Sequence, residues 1–86
     1  MKINTAKYIV RKFENETILL DVESGTSHVL DDVATIMLEY FDKYKDDDSV
    51  LERLYELFSN ADHSVIEKDY RGFIRELIEK EIIVDD

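Results

Sequence analysis

The spacing of apolar residues changes once along this sequence, between Asp31 and Val33. Before that point apolar residues come in short runs rich in β-branched and aliphatic side chains, and after it they recur every three or four positions. The first pattern is typical of β-strands and the second of amphipathic helices. Because the chain has only 86 residues, we expect a single α+β domain over residues 1–86, with the sheet preceding the helices.

Three strands are predicted before the change in spacing, at Tyr8–Phe13, Thr17–Val22 and Ser27–Leu30. Short polar turns separate them, and Gly25 in the second turn can take a positive φ without steric cost. Strands joined by turns this short pair as antiparallel neighbours. The sequence therefore predicts a three-stranded antiparallel meander.

Three helices are predicted after the change in spacing. Asp31 or Asp32 is expected to cap the first, and the motifs Ser49-x-x-Glu52 and Ser64-x-x-Glu67 resemble capping boxes at the starts of the second and third. The closing Ile82–Val84 is a β-type run, which is expected to form a short strand or to pack across the third helix. The fold class is thus a sheet followed by three helices.

Charge and composition exclude several functions. The chain has 21 acidic and 11 basic residues, a net charge of −10, which repels nucleic acid. It has no cysteine, its two histidines lie far apart in sequence, and a calcium loop beginning at Asp46 would have Leu51 where glycine is needed. We therefore expect no catalytic residue, metal or cofactor. With no apolar run long enough for a signal or a membrane span, we expect a soluble cytoplasmic protein.

The outer strands of the predicted sheet differ in how well they are protected. An edge strand leaves N–H and C=O groups unpaired, and proteins usually protect such edges with Lys, Arg or Pro. The first strand carries Arg11 and Lys12, whereas Ser27–Leu30 carries none of these residues. We expect the third strand to be open to another extended chain, unless it is merely short or covered by the C-terminal run.

The third predicted helix carries a basic strip beside apolar side chains. At 100° per residue, Lys68, Arg71 and Arg75 follow directly beyond Ile74 and Ile78, which lie at one border of the apolar stripe. This strip is a second candidate binding feature. The alternative is that the arginines are ordinary surface partners of glutamates four positions away.

The order of these features resembles the PqqD-like family, the small recognition elements of pathways that modify ribosomally made peptides. The likeness extends over about residues 7–84. It is carried by a basic-flanked strand at Tyr8, Ile18-Leu19-Leu20-Asp21-x-x-Ser24-Gly25, His28-Val29-Leu30-Asp31, Val33-Ala34-x-Ile36-Met37-x-x-Tyr40, Leu51-x-x-Leu54, Asp69-x-x-x-Phe73-x-x-x-Leu77 and Ile82-Ile83.

The resemblance implies a winged helix-turn-helix-like fold and a function without catalysis. Members of the family bind the leader of a precursor peptide as an added strand and present the peptide to a modifying enzyme, such as a radical maturase, a cyclase or a protease. At His28 this sequence departs from the family, where an aromatic residue is common. Carried over to this chain, the peptide-binding residues are Ser27, His28, Val29 and Leu30 on the strand, and Tyr70, Arg71, Ile74, Arg75 and Ile78 on the helix.

Two other functions are compatible with the same features. A protein–protein adaptor or a homodimer could pair through the free strand edge, so the chain is expected to be a monomer or a weak dimer. A winged-helix DNA-binding module could use Lys68, Arg71 and Arg75, although four acidic residues on that helix and the net charge oppose it.

Overall fold

The computed structural model describes residues 1–86. A three-stranded antiparallel sheet is followed by three helices, as predicted, in an α+β, winged helix-turn-helix-like arrangement. The elements in chain order are β1 Lys2–Ile3, β2 Tyr8–Lys12, β3 Thr17–Asp21, β4 Ser27–Leu30, α1 Asp32–Tyr44, α2 Asp47–Leu57, α3 His63–Glu79 and β5 Ile83–Val84.

The sheet has the order β2-β3-β4, with β4 at one edge. The first two predicted strands end one residue earlier than expected, and the third has the predicted bounds. Gly25 takes φ +76° in the turn before β4. The buried carboxylate of Asp21 accepts hydrogen bonds from the backbone N–H groups of Glu23 and Ser24 at 2.9 and 3.3 Å. These contacts fix the turn that starts β4.

The helix starts correct the capping-box prediction. Asp31 caps α1, as expected, by accepting from the Ala34 N–H at 2.9 Å. However, Asp46 caps α2 and Asp62 caps α3, so neither serine of the predicted boxes is the N-cap residue. Each aspartate accepts from both the N–H and the hydroxyl of the serine that follows it. Because the aspartate caps the helix in place of the serine, each helix begins earlier in the sequence than predicted.

Two hydrophobic clusters hold the layers together. The first joins the inner face of the sheet, with Tyr8 and Leu19, to α1, α3 and the C-terminal run. The second lies between the helices around Leu54 and Tyr70. Helix α3 contributes to both clusters, through Leu77 to the first and Tyr70 to the second. Leu77 thus packs α3 against the sheet, and Tyr70 packs it against the other helices.

The C-terminal run forms the short strand β5, which pairs antiparallel with β1 rather than with β4. Ile82 and Ile83 are both about 1% exposed in the first cluster. The sequence did not predict β1, a strand of two residues. The pairing means that the C-terminal run leaves the edge of β4 uncovered. None of the helices combines the length and the apolar character needed to span a bilayer.

Candidate functional site

The outer edge of β4 has backbone groups with no partner in the chain. The Asp21 N–H donates to the Thr26 carbonyl at 2.9 Å, which fixes the phase of the β3–β4 ladder. Hydrogen-bonded pairs alternate in an antiparallel ladder, so His28 and Leu30 bond to β3. The N–H and C=O groups of Ser27 and Val29 point away from the sheet, and no hydrogen bond within the chain uses them. The predicted open edge is therefore present.

A groove runs beside this edge, between β4 and α3. Its volume is about 440 Å³. From β4 it is lined by all four strand residues, and from α3 and the turn after it by Phe73, Glu76, Leu77, Lys80 and Ile82, while Asp31 and Ala34 close one end. An extended chain added to β4 would place alternate side chains in this groove.

Tyr8 supports the groove from below. Its ring, 3% exposed, lies 6.1 Å from the ring of His28, and its hydroxyl donates to the Lys80 carbonyl at 2.8 Å. One buried side chain thus contacts β4 and the end of α3 together. This contact holds the two walls of the groove at a fixed separation.

Side chains of β4 alternate between the groove side and the solvent side. His28 and Leu30 are half-buried and face the helices, whereas Ser27 and Val29 are exposed, Val29 at 61%. Charges in the groove come from Asp31 and from a Glu76–Lys80 pair joined at 3.0 Å. This pair is neutral overall, which leaves Asp31 as the charged residue of the groove without an ion-pair partner.

The helix part of the predicted peptide site lies on a different side of α3. Tyr70, Arg71, Ile74, Arg75 and Ile78 line a second groove of about 260 Å³, which Asp47 of α2 closes. At 100° per residue, the centres of the two helix faces are about 140° apart. The structure therefore brings Ser27–Leu30 together with Phe73, Glu76, Leu77 and Lys80, and not with the five predicted helix residues.

The basic strip is only partly available on that second groove. Arg71 is paired with Glu67 at 3.0 Å and with Asp47 at 3.5 Å, which confirms the surface-partner alternative for this residue. The hydrogen bond to Glu67 raises the pKa of Arg71 further. Arg75 forms no ion pair, with Glu79 or otherwise. The groove therefore has one unpaired cation.

Tyr70 contributes a buried hydroxyl to the same groove. Its side chain is 1% exposed, and the O–H has no hydrogen-bond partner. Burial raises the pKa of this phenol, and the nearby Asp47 carboxylate raises it further. The hydroxyl thus stays protonated at neutral pH. No group of three or more His, Asp or Glu side chains comes together to hold a metal ion.

Comparison with known proteins agrees with this geometry. The sequence model of the family described as "Coenzyme PQQ synthesis protein D (PqqD)" matches residues 16–83. The chain belongs to the PqqD family. Among solved structures it matches TbiB1 in complex with the TbiA(beta) leader peptide, with a TM-score of 0.83 and 26% sequence identity over 99% of this chain and 100% of that one. A comparison with curated protein sequences finds no match.

Membership of the PqqD family confirms the resemblance drawn from the sequence. The four residues that sequence reasoning left out of the helix wall were Phe73, Glu76, Leu77 and Lys80. Two of them could have been found from the sequence, since Phe73 and Leu77 lie one helical turn apart in the motif Asp69-x-x-x-Phe73-x-x-x-Leu77. The helix wall was predicted on the other border of the apolar stripe because the basic residues lie there.

Proposed function

We propose that this chain binds the leader of a ribosomally synthesised precursor peptide as an additional strand on β4, in the groove against α3. It does so without catalysis and delivers the peptide to a modifying enzyme. The observation that carries the proposal is the unpaired N–H and C=O groups of Ser27 and Val29 beside the groove between β4 and α3. The match to TbiB1, whose structure holds a leader peptide, supports a leader peptide as the ligand.

Free energies show what each part of the site would contribute. Four backbone groups at about 0.5–1.5 kcal/mol each give about 2–6 kcal/mol net. Ordering a disordered leader costs about 2–5 kcal/mol, which nearly cancels that gain. Apolar anchors supply the remainder, at about 1.5–3 kcal/mol for each fully buried side chain. We therefore propose that one or two apolar leader residues lie against Leu30, Phe73 and Leu77.

A titration followed by amide chemical shifts tests this proposal. The probe is the N-terminal segment of a short precursor peptide, to be sought among the reading frames that neighbour this one. We expect saturable shifts at Ser27–Leu30 and in the second half of α3, near Phe73 and Lys80, and slowed exchange of the Ser27 and Val29 amides. No binding, or shifts confined to the second groove around Arg75, would reject the proposed mode.

A second copy of the chain is the competing occupant of the β4 edge. Sedimentation velocity over a range of protein concentrations, without peptide, tests for the second copy. Self-pairing through β4 would raise the fraction of dimer as the protein concentration rises. A dimer that dissociates when the leader is added would mean that both use the same edge. A dimer that persists in the leader complex would show that β4 is not the edge through which the copies pair.

A further inference from the structure

The outer face of the three-stranded sheet is apolar and uncovered. Side chains alternate along each strand, and the helices pack on the face that holds Tyr8 and Leu19. On the opposite face two rows cross the strands, Ile9–Leu20–Ser27 and Arg11–Ile18–Val29. Phe13 and Val22, at the ends of the strands, continue the alternation and are 56% and 51% exposed. We call this surface the outer face.

The polarity of β3 is unusual for an amphipathic strand, since two of its three buried residues are polar. Its buried face holds Thr17 and Asp21, each satisfied by hydrogen bonds, whereas Ile18 and Leu20 point outward. Around these two half-buried residues, the apolar side chains of Ile9, Phe13, Val22 and Val29 are exposed on the same face. Apolar side chains that lie together on one face, rather than being scattered singly, are a candidate interaction surface.

Size and charge oppose a stable dimer through this face. Three strands about 4.8 Å apart and five residues of about 3.3 Å each cover only roughly 200 Å². A stable interface buries about 800 Å² on each partner. A net charge of −10 on each copy adds mutual repulsion. The outer face thus suits a transient contact with a different protein.

Arg11 is the ionisable residue of the two rows that cross the outer face. It forms no ion pair, whereas its neighbour Lys12 is bound to Glu39 of α1 at 2.6 Å. A desolvated guanidinium requires a carboxylate at a well-packed contact. The complementary surface is therefore apolar and carries at least one carboxylate.

The outer face is continuous with the leader edge through Val29. The side chain of Val29 belongs to the outer face, and its N–H and C=O point along the sheet plane towards an added strand. A leader bound there would turn every second side chain onto the same surface. A protein that covers the outer face would contact this chain and its bound leader together.

We propose that the outer face docks the modifying enzyme, through an apolar patch that places a carboxylate against Arg11. The inference rests on the proposed leader binding. It assigns Ile9, Arg11, Ile18 and Leu20 to the enzyme contact, and it leaves the groove between β4 and α3 to the leader.

Substitutions on β2 test the docking surface, because β2 is the strand farthest from the leader edge. Ile9→Lys and Arg11→Glu are matched with Val65→Lys, another exposed apolar residue, and Arg53→Glu, an exposed cation of α2. The measurements are leader affinity by calorimetry, binding of the purified enzyme that modifies the precursor by interferometry, and the rate of precursor modification.

We expect Ile9→Lys and Arg11→Glu to weaken enzyme binding at least tenfold and to slow modification, with leader affinity within twofold of the original. The two control variants should change neither. Unchanged enzyme binding by both β2 variants, or equal loss in the controls, would overturn the docking surface while leaving leader binding intact. A leader that fails to bind the unaltered chain would instead overturn the proposed function. A concentration-dependent dimer abolished by Ile9→Lys would assign the outer face to a second copy.

Discussion

Replacing Val29 by proline tests the added-strand mode by removing a backbone donor that strand pairing would use and that ordinary groove binding would not. The Val29 N–H points outward and has no partner in the chain, so the unbound fold loses no hydrogen bond. Proline is tolerated on an edge strand when its missing N–H faces solvent. The residue before it, His28, is already extended in β4, as a residue preceding proline should be.

The loss in the complex follows from the same geometry. One hydrogen bond worth about 0.5–1.5 kcal/mol disappears, and a leader carbonyl is left unsatisfied at a further cost of about 1–3 kcal/mol. The total of about 1.5–4.5 kcal/mol corresponds to a Kd weaker by roughly 10-fold to 1,500-fold, at about 1.4 kcal/mol per tenfold. Calorimetric titration of the leader measures the change, and urea denaturation checks that the fold persists.

Two controls make this result specific. Val29→Ala removes most of the side chain and keeps the N–H, so we expect leader affinity within about threefold of the original. His28→Pro removes a donor that bonds to β3 and should destabilise the sheet itself. If Val29→Pro folds normally and binds the leader as tightly as the unaltered chain, the leader does not pair with β4 and the reasoning fails.

Three further predictions concern the site and the stability of the fold. Ala34→Phe, which fills one end of the β4–α3 groove, should weaken leader binding at least tenfold in a calorimetric titration, whereas Arg75→Glu on the second groove should leave it within twofold; the reverse ranking would move the leader to the second groove. Gly72→Ala should stabilise the chain by about 1 kcal/mol in urea denaturation, because an added Cβ meets nothing within 4 Å in the middle of α3; destabilisation would contradict that open space. Hydrogen bonds from the backbone and hydroxyl of Ser64 hold the pKa of Asp62 below its ordinary value of 3.8, so its contribution is complete above that pH and is lost as pH falls further. Asp62→Asn should therefore flatten the fall in unfolding free energy below pH 3.8, and an unchanged pH profile would argue against it.

The fold could be predicted from the sequence where a local pattern decides the structure. The strands follow from β-rich runs closed by short turns, and Gly25 takes the positive φ that its turn requires. The helix starts were misplaced because a serine three residues before a glutamate resembles a cap, although Asp46 and Asp62 compete for the same N–H groups. The β1–β5 pairing joins two-residue strands from opposite ends of the chain, and no local pattern indicates it.

The candidate site could likewise be predicted from the sequence only in part. An unprotected edge strand is a local property, so Ser27–Leu30 could be identified before any coordinates. The helix wall depends on which border of the α3 stripe turns towards β4, and a helical wheel has no information on that rotation. In the structure Leu77 and Tyr8 pack in one cluster, and Phe73 and Lys80 line the groove beside the strand.

The distribution of polar and apolar residues on β3 links the two proposed surfaces. Burying Thr17 and Asp21 would cost free energy without partners, but Thr17 donates to the Thr35 hydroxyl at 2.9 Å and Asp21 fixes the turn before β4. The buried polar groups of the inner face thus help to position β4. Ile18 and Leu20, in contrast, contribute little to the core from the outer face. The proposed contact with another molecule would cover these half-buried side chains, and this molecule would lie directly beside a leader bound to β4.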